Sequence, residues 1–305
     1  MKNIIVIVGA TASGKTALAI KLAKHFNGEV VSADSMQVYK NMDIGTAKPD
    51  KEEMDGVVHH MLSVAEPTES YSAKDFIEGA KTAIDSIISR GKLPIIAGGT
   101  GMYVDLLTGR MDFDAPAGDE ALRAELNALY EEKGLDALYE VFLKEAGEYE
   151  GKIHKNDVKR VMRAIERARC GFEKSEKTTE NEYNSVWFAI DIDREKLYNK
   201  INDRVDIMLN SGLVEEVKRV VLPVRDKCTT SLAGIGYKEV LMYLDGDITY
   251  EDMTELIKKR SRNYAKRQLT WFRRNKEIHW LNAEDAFREA VKIINEGIDK
   301  NENSN

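Results

Sequence analysis

Short apolar runs alternate with stretches of helical periodicity over most of the chain, and this alternation predicts an α/β protein with a parallel sheet. Helical spacing of apolar residues is clearest at Ala73–Arg90 and at Tyr198–Val221. Gly45–Pro49 reads as a loop that is followed by a polar helix. Strand-like runs predict β-strands at Ile4–Val8, Glu29–Ala33, His59–Val64, Leu93–Ala97, Val186–Ile192 and Ile278–Leu281.

The strand–helix alternation is interrupted in the middle of the chain. An irregular stretch with Pro116 and Gly118 is followed by three helical patterns without a strand between them. A polar segment, Gly171–Ser185, then predicts a linker back to the sheet. We therefore expect a first part of the core at 1–112, a helical insertion at 113–184, and a second part of the core at 185–305 that ends in a basic helix.

A glycine-rich turn lies between the first strand and the first helix. Residues Gly9–Thr16 read G-A-T-A-S-G-K-T and fit the phosphate-binding pattern G-x-x-x-x-G-K-[ST]. Its backbone amides and the positive end of the helix form a site for anions. Lys15 adds a charge, and the Thr16 hydroxyl is a candidate ligand for a divalent metal. The pattern predicts phosphate or diphosphate binding, and it does not specify ATP.

Polar residues follow two other predicted strands. Asp34 comes directly after Glu29–Ala33, so it should lie beside the phosphate turn and could act as a general base or hold a metal-bound water. A residue that caps the following turn is the alternative. The strand Leu93–Ala97 ends in Gly98-Gly99-Thr100, where a P-loop ATPase commonly has a metal-holding aspartate. The glycines instead let another chain approach closely, and Thr100 becomes a candidate substrate contact.

Positive charge is concentrated locally although the net charge is −7. Residues 258–276 contain nine Lys or Arg and no acidic residue. On a helical wheel an apolar half (Ile257, Tyr264, Gln268, Trp271, Phe272) faces a cationic half (Lys259, Arg260, Arg262, Lys266, Arg267, Arg273, Arg274). A second helix has apolar Val158, Val161, Met162 and Ile165 opposite Lys159, Arg160, Arg163 and Arg167. Nucleic acid is the favoured partner for such faces, and a solvated surface is the alternative.

Composition excludes few other classes of protein. No apolar run approaches the length of a membrane span, and the N-terminus reads as a strand rather than a signal peptide. Cys170 and Cys228 lack metal-ligand spacing, so reduced thiols in a cytoplasmic protein are expected.

Taken together, these motifs resemble the tRNA dimethylallyltransferases, also called tRNA isopentenyltransferases, of bacterial type. The resemblance covers nearly the whole chain, although Ala10 stands where the family often has proline. A C-terminal Cys/His zinc module, which eukaryotic relatives carry, is not in this sequence. The resemblance rests on Gly9–Thr16, Asp34–Tyr39, Asp43–Pro49, Gly98–Tyr103, His154–Asp157, Arg160–Glu166, Gly236–Glu239 and Ala265–Trp271.

The resemblance implies a fold with a P-loop NTPase-like parallel sheet core and an inserted all-helical domain. It implies transfer of a dimethylallyl group from dimethylallyl diphosphate to N6 of the adenosine 3′-adjacent to the anticodon in tRNA. Asp34 would accept a proton, and Lys15, Thr16 with Mg²⁺ and Arg204 would stabilise the departing diphosphate. We also expect a monomer without a membrane association.

The implied binding residues form two sets. The diphosphate would be held by Gly9, Ala10, Thr11, Ala12, Ser13, Gly14, Lys15 and Thr16. The tRNA anticodon loop would contact Asp34, Ser35, Met36, Gln37, Thr100, Arg123, Lys159, Arg160, Val161, Met162, Arg163, Ala233, Gly234, Ile235, Gly236, Tyr237 and Lys238, and the basic helix adds Lys266 and Arg267.

Three other functions share part of this pattern. A nucleoside or small-molecule kinase needs the same phosphate turn and a base, but it leaves both basic helices unexplained. A nucleic-acid-dependent ATPase explains those helices, yet it needs a carboxylate where Gly98 lies. A non-catalytic RNA-binding module leaves the phosphate turn without a role.

Overall fold

The computed structural model describes residues 1–111, 120–170 and 182–302, and it divides into two compact units. Unit 1 comprises residues 1–111 and 181–305, and unit 2 comprises residues 112–180. The predicted boundary at 112–113, with Pro116 and Gly118, and the first part of the predicted return linker (171–181) lie outside the described residues. No helix in the described ranges is long and apolar enough to cross a membrane.

Unit 1 is built on a six-stranded sheet whose strands are all paired in parallel. The spatial order is β3-β2-β4-β1-β5-β6, so the first strand lies in the middle of the sheet. The predicted α/β fold class is therefore confirmed. The strands are β1 (Lys2–Val8), β2 (Gly28–Ser32), β3 (His59–His60), β4 (Leu93–Gly98), β5 (Tyr183–Asp191) and β6 (Ile278–Asn282).

Helices cover both faces of the sheet. The helices of unit 1 are α1 (Lys15–His25), α2 (Ala73–Ser89), α3 (Gly101–Leu107), α6 (Arg194–Asn210), α7 (Leu213–Glu216), α8 (Tyr237–Leu244), α9 (Tyr250–Phe272) and α10 (Ala286–Glu302), numbered together with α4 and α5 of unit 2. Alternate residues of β1 point to opposite faces. Ile4, Val6 and Val8 pack with α2 and α3, while Ile5 and Ile7 pack with α1 and α10. This two-sided burial explains why β1 reads as a continuous apolar run.

Several predicted elements differ from the observed ones. The long helix predicted at Tyr198–Val221 is interrupted, because Gly212 adopts φ 97°, a left-handed conformation outside the helical region. Residues 217–221 form a π-helical turn. The strand predicted from His59 ends at His60, residues 51–56 form turns rather than a polar helix, and β5 begins at Tyr183, within the predicted linker.

Unit 2 is helical in its described residues. It contains α4 (Glu120–Ala146), interrupted at Gly134 with φ 79° and ψ −176°, and α5 (Val158–Arg169). The three helical segments predicted from the spacing of apolar residues are thus present. Their apolar sides meet in a core of Leu122, Leu126, Leu138, Phe142, Ala146, Val161, Met162, Ala164 and Ile165.

Candidate active site

The phosphate turn joins the buried strand β1 to the N-terminus of α1, as its sequence pattern requires. Gly14 is the residue before the helix and has φ 95°, which favours glycine strongly over residues with a side chain. The Ser13 hydroxyl is buried inside the turn and has no hydrogen-bond partner among the described residues. A buried hydroxyl in this position is a donor that a phosphate oxygen could satisfy.

Two cationic side chains reach this turn. Lys15 Nζ donates to the Ala10 carbonyl oxygen at 3.1 Å, and Arg204 Nη1 donates to Thr11 Oγ1 at 3.2 Å. Burial is the main reason that the pKa of Lys15 is lowered to about 8; the Arg204 charge lowers it further, whereas Asp34 opposes the shift. Burial also lowers the pKa of Arg204. The turn therefore holds positive charge in a poorly solvated place that favours an anion.

Binding of inorganic pyrophosphate to the Mg²⁺-supplemented protein should weaken as the pH rises through about 8. The lowered pKa means that Lys15 in the free protein is charged below this pH and loses its charge above it. Its contribution to affinity then falls by up to about tenfold per pH unit. Calorimetric titration across this range measures the effect. Lys15→Arg is the control, because arginine stays charged. If the pyrophosphate affinity of the two proteins depends on pH in the same way, Lys15 is not the group that titrates.

A glutamine from α9 closes one side of the turn. Gln268 Oε1 accepts a hydrogen bond from the Thr11 amide at 2.8 Å, and Gln268 Nε2 donates to the Gly99 carbonyl oxygen at 2.9 Å. Gly99 leaves room for this contact, because a Cβ at that position would lie 2.1 Å from Gln268 Nε2 and would displace the amide. The backbone of Ala33 lies equally close to Gly98, where a Cβ would be 2.1 Å from the Ala33 carbonyl oxygen. The close approach expected at these glycines is present, and it is made by Gln268 and Ala33 of this same chain rather than by another chain.

Asp34 lies at the carboxyl end of β2, where one of its carboxylate oxygens caps the following turn. Its Oδ1 accepts the backbone amides of Met36 at 2.9 Å and Gln37 at 3.3 Å, which is the capping arrangement. Its Oδ2 has no hydrogen-bond partner among the described residues, and Asp34 lines the cavity described below. Thr100 Oγ1 accepts the Ser35 amide at 3.0 Å and fixes the same segment. One carboxylate oxygen thus orients the group while the other remains available to a substrate.

The segment after Asp34 is tied to the loop at residues 43–48. Gln37 Nε2 donates to the carbonyl oxygens of Thr46 at 3.3 Å and Ala47 at 3.1 Å, and Gln37 Oε1 accepts from Ser32 Oγ at 3.0 Å. Because both ends of the Gln37 amide are engaged, the group is fixed by the protein.

A single cavity of about 360 Å³ joins these parts within unit 1. At one end are Thr11, Lys15, Thr16 and Arg204, and Asp34 lies on its wall. The remaining wall contains apolar side chains, namely Met36, Ile201, Val205, Met208, Leu213, Ile235 and Ile257. The cavity can therefore hold a molecule with a diphosphate head and an apolar tail beside a carboxylate.

Comparisons with known proteins agree with this geometry. Residues 37–275 match the family model described as IPP transferase. A tRNA dimethylallyltransferase from Acetivibrio thermocellus is 45% identical over 300 residues, 96% of each chain, and one from Clostridioides difficile is 43% identical over 97% of each chain. The chain belongs to the IPP transferase family. The family predicted from the sequence motifs is thereby confirmed, and with it the class of enzyme, a prenyltransferase.

Solved structures support the family assignment at the level of the fold. A full-length tRNA isopentenylpyrophosphate transferase from Bacillus halodurans is 40% identical with a TM-score of 0.71, and the match covers 98% of this chain and 96% of that one. A eukaryotic dimethylallyltransferase acting on tRNA is 31% identical with a TM-score of 0.82, and the match covers 98% of this chain and 80% of that one. The sheet and its P-loop-like core are therefore those of this family.

The residues of unit 2 that were predicted to bind tRNA fall into three groups. Lys159 and Arg160 are exposed on α5. Arg123 and Arg163 both bind the buried carboxylate of Glu166, at 2.7 and 2.6 Å, so these two cations have an acidic partner within unit 2. Val161 and Met162 are buried, at 0% and 9% exposure, so their side chains form core contacts and not surface contacts.

Four of the residues predicted at 233–238 of unit 1 line a second cavity of about 330 Å³. Ala233, Gly234, Ile235 and Lys238 are part of its wall. Tyr237 is fully buried, so its side chain belongs to the core of unit 1 and not to the surface predicted to contact RNA.

The basic helix α9 has fewer free cations than the sequence suggested. Arg260 is paired with the buried Glu239, and Lys258 is paired with Asp206 at 2.8 Å. Lys266, Arg267 and Arg273 are exposed on α9 and its C-terminal end, and none of them has an ion-pair partner in the described ranges. Arg267 also lines both cavities.

Sequence reasoning missed two residues that shape the site. Gln268 was assigned only to the packed half of the basic helix, and Glu216 was not singled out. Glu216 accepts hydrogen bonds from the backbone amides of Asp43, Ile44 and Gly45. The glycines at 98 and 99 were a signal that some side chain approaches there, although they did not identify Gln268.

Proposed function

We propose that this protein transfers the dimethylallyl group of dimethylallyl diphosphate to N6 of the adenosine 3′-adjacent to the anticodon in tRNA. The observation that carries the proposal is that one cavity combines the phosphate turn, an apolar wall and the Asp34 carboxylate. Membership of the IPP transferase family supports it. Diphosphate is the second product.

The diphosphate head is proposed to lie at the phosphate turn, Gly9–Thr16. Lys15 and Arg204 would stabilise the negative charge that develops as the allylic carbon–oxygen bond breaks. The buried, unpartnered Ser13 hydroxyl supports an anion at this place. The apolar tail would lie against side chains such as Val205, Met208 and Leu213, which line the same cavity.

A magnesium ion is proposed to accompany the diphosphate. The Thr16 hydroxyl is exposed to the cavity, and no group of three or more His, Cys, Asp or Glu side chains in the described ranges could form a metal site. This donor set fits Mg²⁺, which commonly combines one or two protein ligands with phosphate oxygens. When bound, the ion would supply further neutralisation of the leaving group.

Asp34 is proposed to be the general base. As N6 of the adenine forms its bond to the allylic carbon, the amine proton moves to the free Oδ2 of Asp34, and the electron pair of the broken bond leaves with diphosphate. An exocyclic adenine amine is a poor nucleophile, so orientation and exclusion of water must provide much of the acceleration. The base must also leave its stack, which costs little in a loop.

The decisive experiment is incubation of the protein with unmodified tRNA and either dimethylallyl diphosphate or ATP. We expect consumption of dimethylallyl diphosphate, release of diphosphate, and a tRNA that carries one dimethylallyl group on the adenosine after the anticodon. ATP hydrolysis that tRNA stimulates would support the ATPase alternative, and phosphorylation of a small nucleoside would support the kinase.

Ligand preference provides an independent prediction. In Mg²⁺, dimethylallyl diphosphate and inorganic pyrophosphate should bind more tightly than ATP. The reason is that glycines follow β4 in place of a metal-holding carboxylate, and a Cβ at Gly98 would lie 2.1 Å from the Ala33 carbonyl oxygen. Calorimetric titration tests this order. Tight, Mg²⁺-dependent binding of ATP with hydrolysis would contradict it.

The tRNA partner, the location and the assembly state complete the proposal. Exposed cations on α5 and α9, Lys159, Arg160, Lys266 and Arg267, are the proposed phosphate contacts. A tRNA substrate favours a cytoplasmic location. A monomer is proposed because a single chain contains all parts of the cavity.

A further inference from the structure

We propose that Glu216 is a positioning residue for catalysis, because its buried carboxylate fixes the loop that holds Gln37 and Arg204 beside the cavity. The inference rests on the proposed transferase function.

The loop at residues 43–47 binds one carboxylate through consecutive backbone amides. Glu216 Oε2 accepts the amides of Asp43 and Ile44, both at 2.8 Å, and Glu216 Oε1 accepts the amide of Gly45 at 3.0 Å. Tyr237 donates its hydroxyl to the same Oε1 at 2.8 Å. Glu216 is only 2% exposed. The carboxylate therefore accepts four hydrogen bonds. Breaking any of them is costly, because a buried donor or acceptor would be left without a partner away from water.

The clamped loop forms part of the cavity wall. Gly45 and Thr46 line the cavity. The Ala47 carbonyl oxygen accepts from Gln37 Nε2 at 3.1 Å and is 3.5 Å from Arg204 Nη2. Glu216 contacts neither Gln37 nor Arg204. It therefore acts on the positions of these two side chains through the loop.

The aromatic ring of Tyr237 also contacts the loop. A Cβ at Gly45 would lie 2.6 Å from Tyr237 Cζ, so the loop is in direct contact with the aromatic ring. The loop is thus held by amide hydrogen bonds to Glu216 and by contact with Tyr237.

Glu216→Gln is the first test variant. A glutamine has a single carbonyl oxygen, so its NH₂ group must face either the amides of residues 43 and 44 or the pair formed by the Gly45 amide and the Tyr237 hydroxyl. We expect kcat for dimethylallyl transfer to fall by about 10- to 100-fold, since misplacement of a reacting group by about 1 Å costs on the order of 100-fold. The affinity for inorganic pyrophosphate, measured by calorimetry, should stay within about threefold of wild type, because Lys15 and the phosphate turn do not contact Glu216 and Arg204 keeps its hydrogen bond to Thr11 Oγ1.

Two control variants separate positioning from general stability. Glu29→Gln removes a carboxylate that is equally buried, 2% exposed, and that binds His60, Arg90 and Lys92 toward the amino end of β2. It should lower the thermal midpoint and leave kcat unchanged. Tyr237→Phe removes only the hydroxyl donor and keeps the ring and the three amide contacts of Glu216, so kcat should fall less than in Glu216→Gln.

Gly45→Ala is a second variant that tests the same loop if Glu216→Gln does not fold. The added Cβ displaces the loop from Tyr237 while Glu216 remains in place. It should lower kcat and leave pyrophosphate affinity unchanged, as for Glu216→Gln.

The inference is overturned if folded Glu216→Gln, or folded Gly45→Ala, keeps wild-type kcat, or if Glu29→Gln lowers kcat by the same factor. Turnover by the wild-type protein is measured first. Absence of any dimethylallyl transfer there would reject the proposed function itself, whereas an active wild type with active variants rejects only the role of Glu216.

Discussion

Asp34→Asn should lower kcat for dimethylallyl transfer by roughly 10²–10⁴-fold, the range typical for loss of a positioned proton acceptor. Asparagine retains an oxygen that can accept the amides of Met36 and Gln37, so the turn after β2 should persist. What it loses is the second carboxylate oxygen, which faces the cavity. Single-turnover measurement with saturating tRNA isolates the chemical step.

Binding measurements distinguish this effect from damage to the site. The affinity of Asp34→Asn for tRNA and for pyrophosphate should remain within a few-fold of wild type, because the diphosphate contacts lie on the phosphate turn. Asp34→Ala is a harsher variant, since it also releases the two amides, and it should weaken tRNA binding more. An Asp34→Asn protein with wild-type turnover would show that another group accepts the proton.

The affinity for tRNA should fall by roughly 50- to 2,000-fold between 50 and 200 mM salt. This range follows from four to six phosphate contacts, with slopes of about −0.7 per contact for single strands and about −0.9 for duplex DNA. The contacts are expected from exposed cations on α5 of unit 2 and on α9 of unit 1. Filter binding or fluorescence anisotropy at several salt concentrations measures the slope.

The structure indicates which cations provide the sharpest test. Lys159 on α5, and Lys266 and Arg273 on α9 and its C-terminal end, are exposed and have no ion-pair partner among the described residues. Reversing Lys266 and Arg273 to glutamate together should flatten the salt slope and weaken binding. Arg163 is unsuitable, because it binds the buried Glu166 at 2.6 Å and its loss would disturb the core of unit 2.

A matched control reverses exposed lysines elsewhere. Lys74 and Lys292 have side chains 75% and 77% exposed, each with one acidic neighbour at 3.9 Å, and neither lines the two cavities described above. Lys74→Glu together with Lys292→Glu changes the net charge by the same amount. If both double variants weaken tRNA binding equally, the effect is one of overall charge, and the surface of α9 has no specific role. A wild-type slope near zero would reject an electrostatic RNA interface altogether.

Local sequence was sufficient wherever a feature depends on neighbours along the chain. The phosphate turn is one example, because β1, Gly14 and the start of α1 are contiguous and each residue type has a local physical reason. The placement of Asp34 beside the turn also followed, since parallel strands bring their carboxyl ends to one edge of the sheet. The ordered set of motifs was enough to identify the family.

Sequence patterns were misleading where the backbone conformation of one residue, or the burial of a side chain, departs from what the local pattern suggests. Apolar spacing continues through Tyr198–Val221, yet Gly212 leaves the helical region and ends the regular helix. Val161 and Tyr237 belong to motifs that suggested RNA contact, but both are at 0% exposure. A motif shows that a residue is required, and only its packing shows whether the requirement concerns the core or a ligand.

The sequence by itself determined the α/β class, the phosphate turn, the carboxylate at the end of β2 and the presence of two basic helices. Tertiary structure decided which distant side chains complete the cavity. Gln268 reaches Thr11 across 257 residues, and Glu216 reaches the loop at residues 43–45 across 171 to 173 residues. The physical reason is that a glutamine or glutamate has no periodic signature. Its partner is determined by which elements pack together, and that information belongs to the folded chain as a whole.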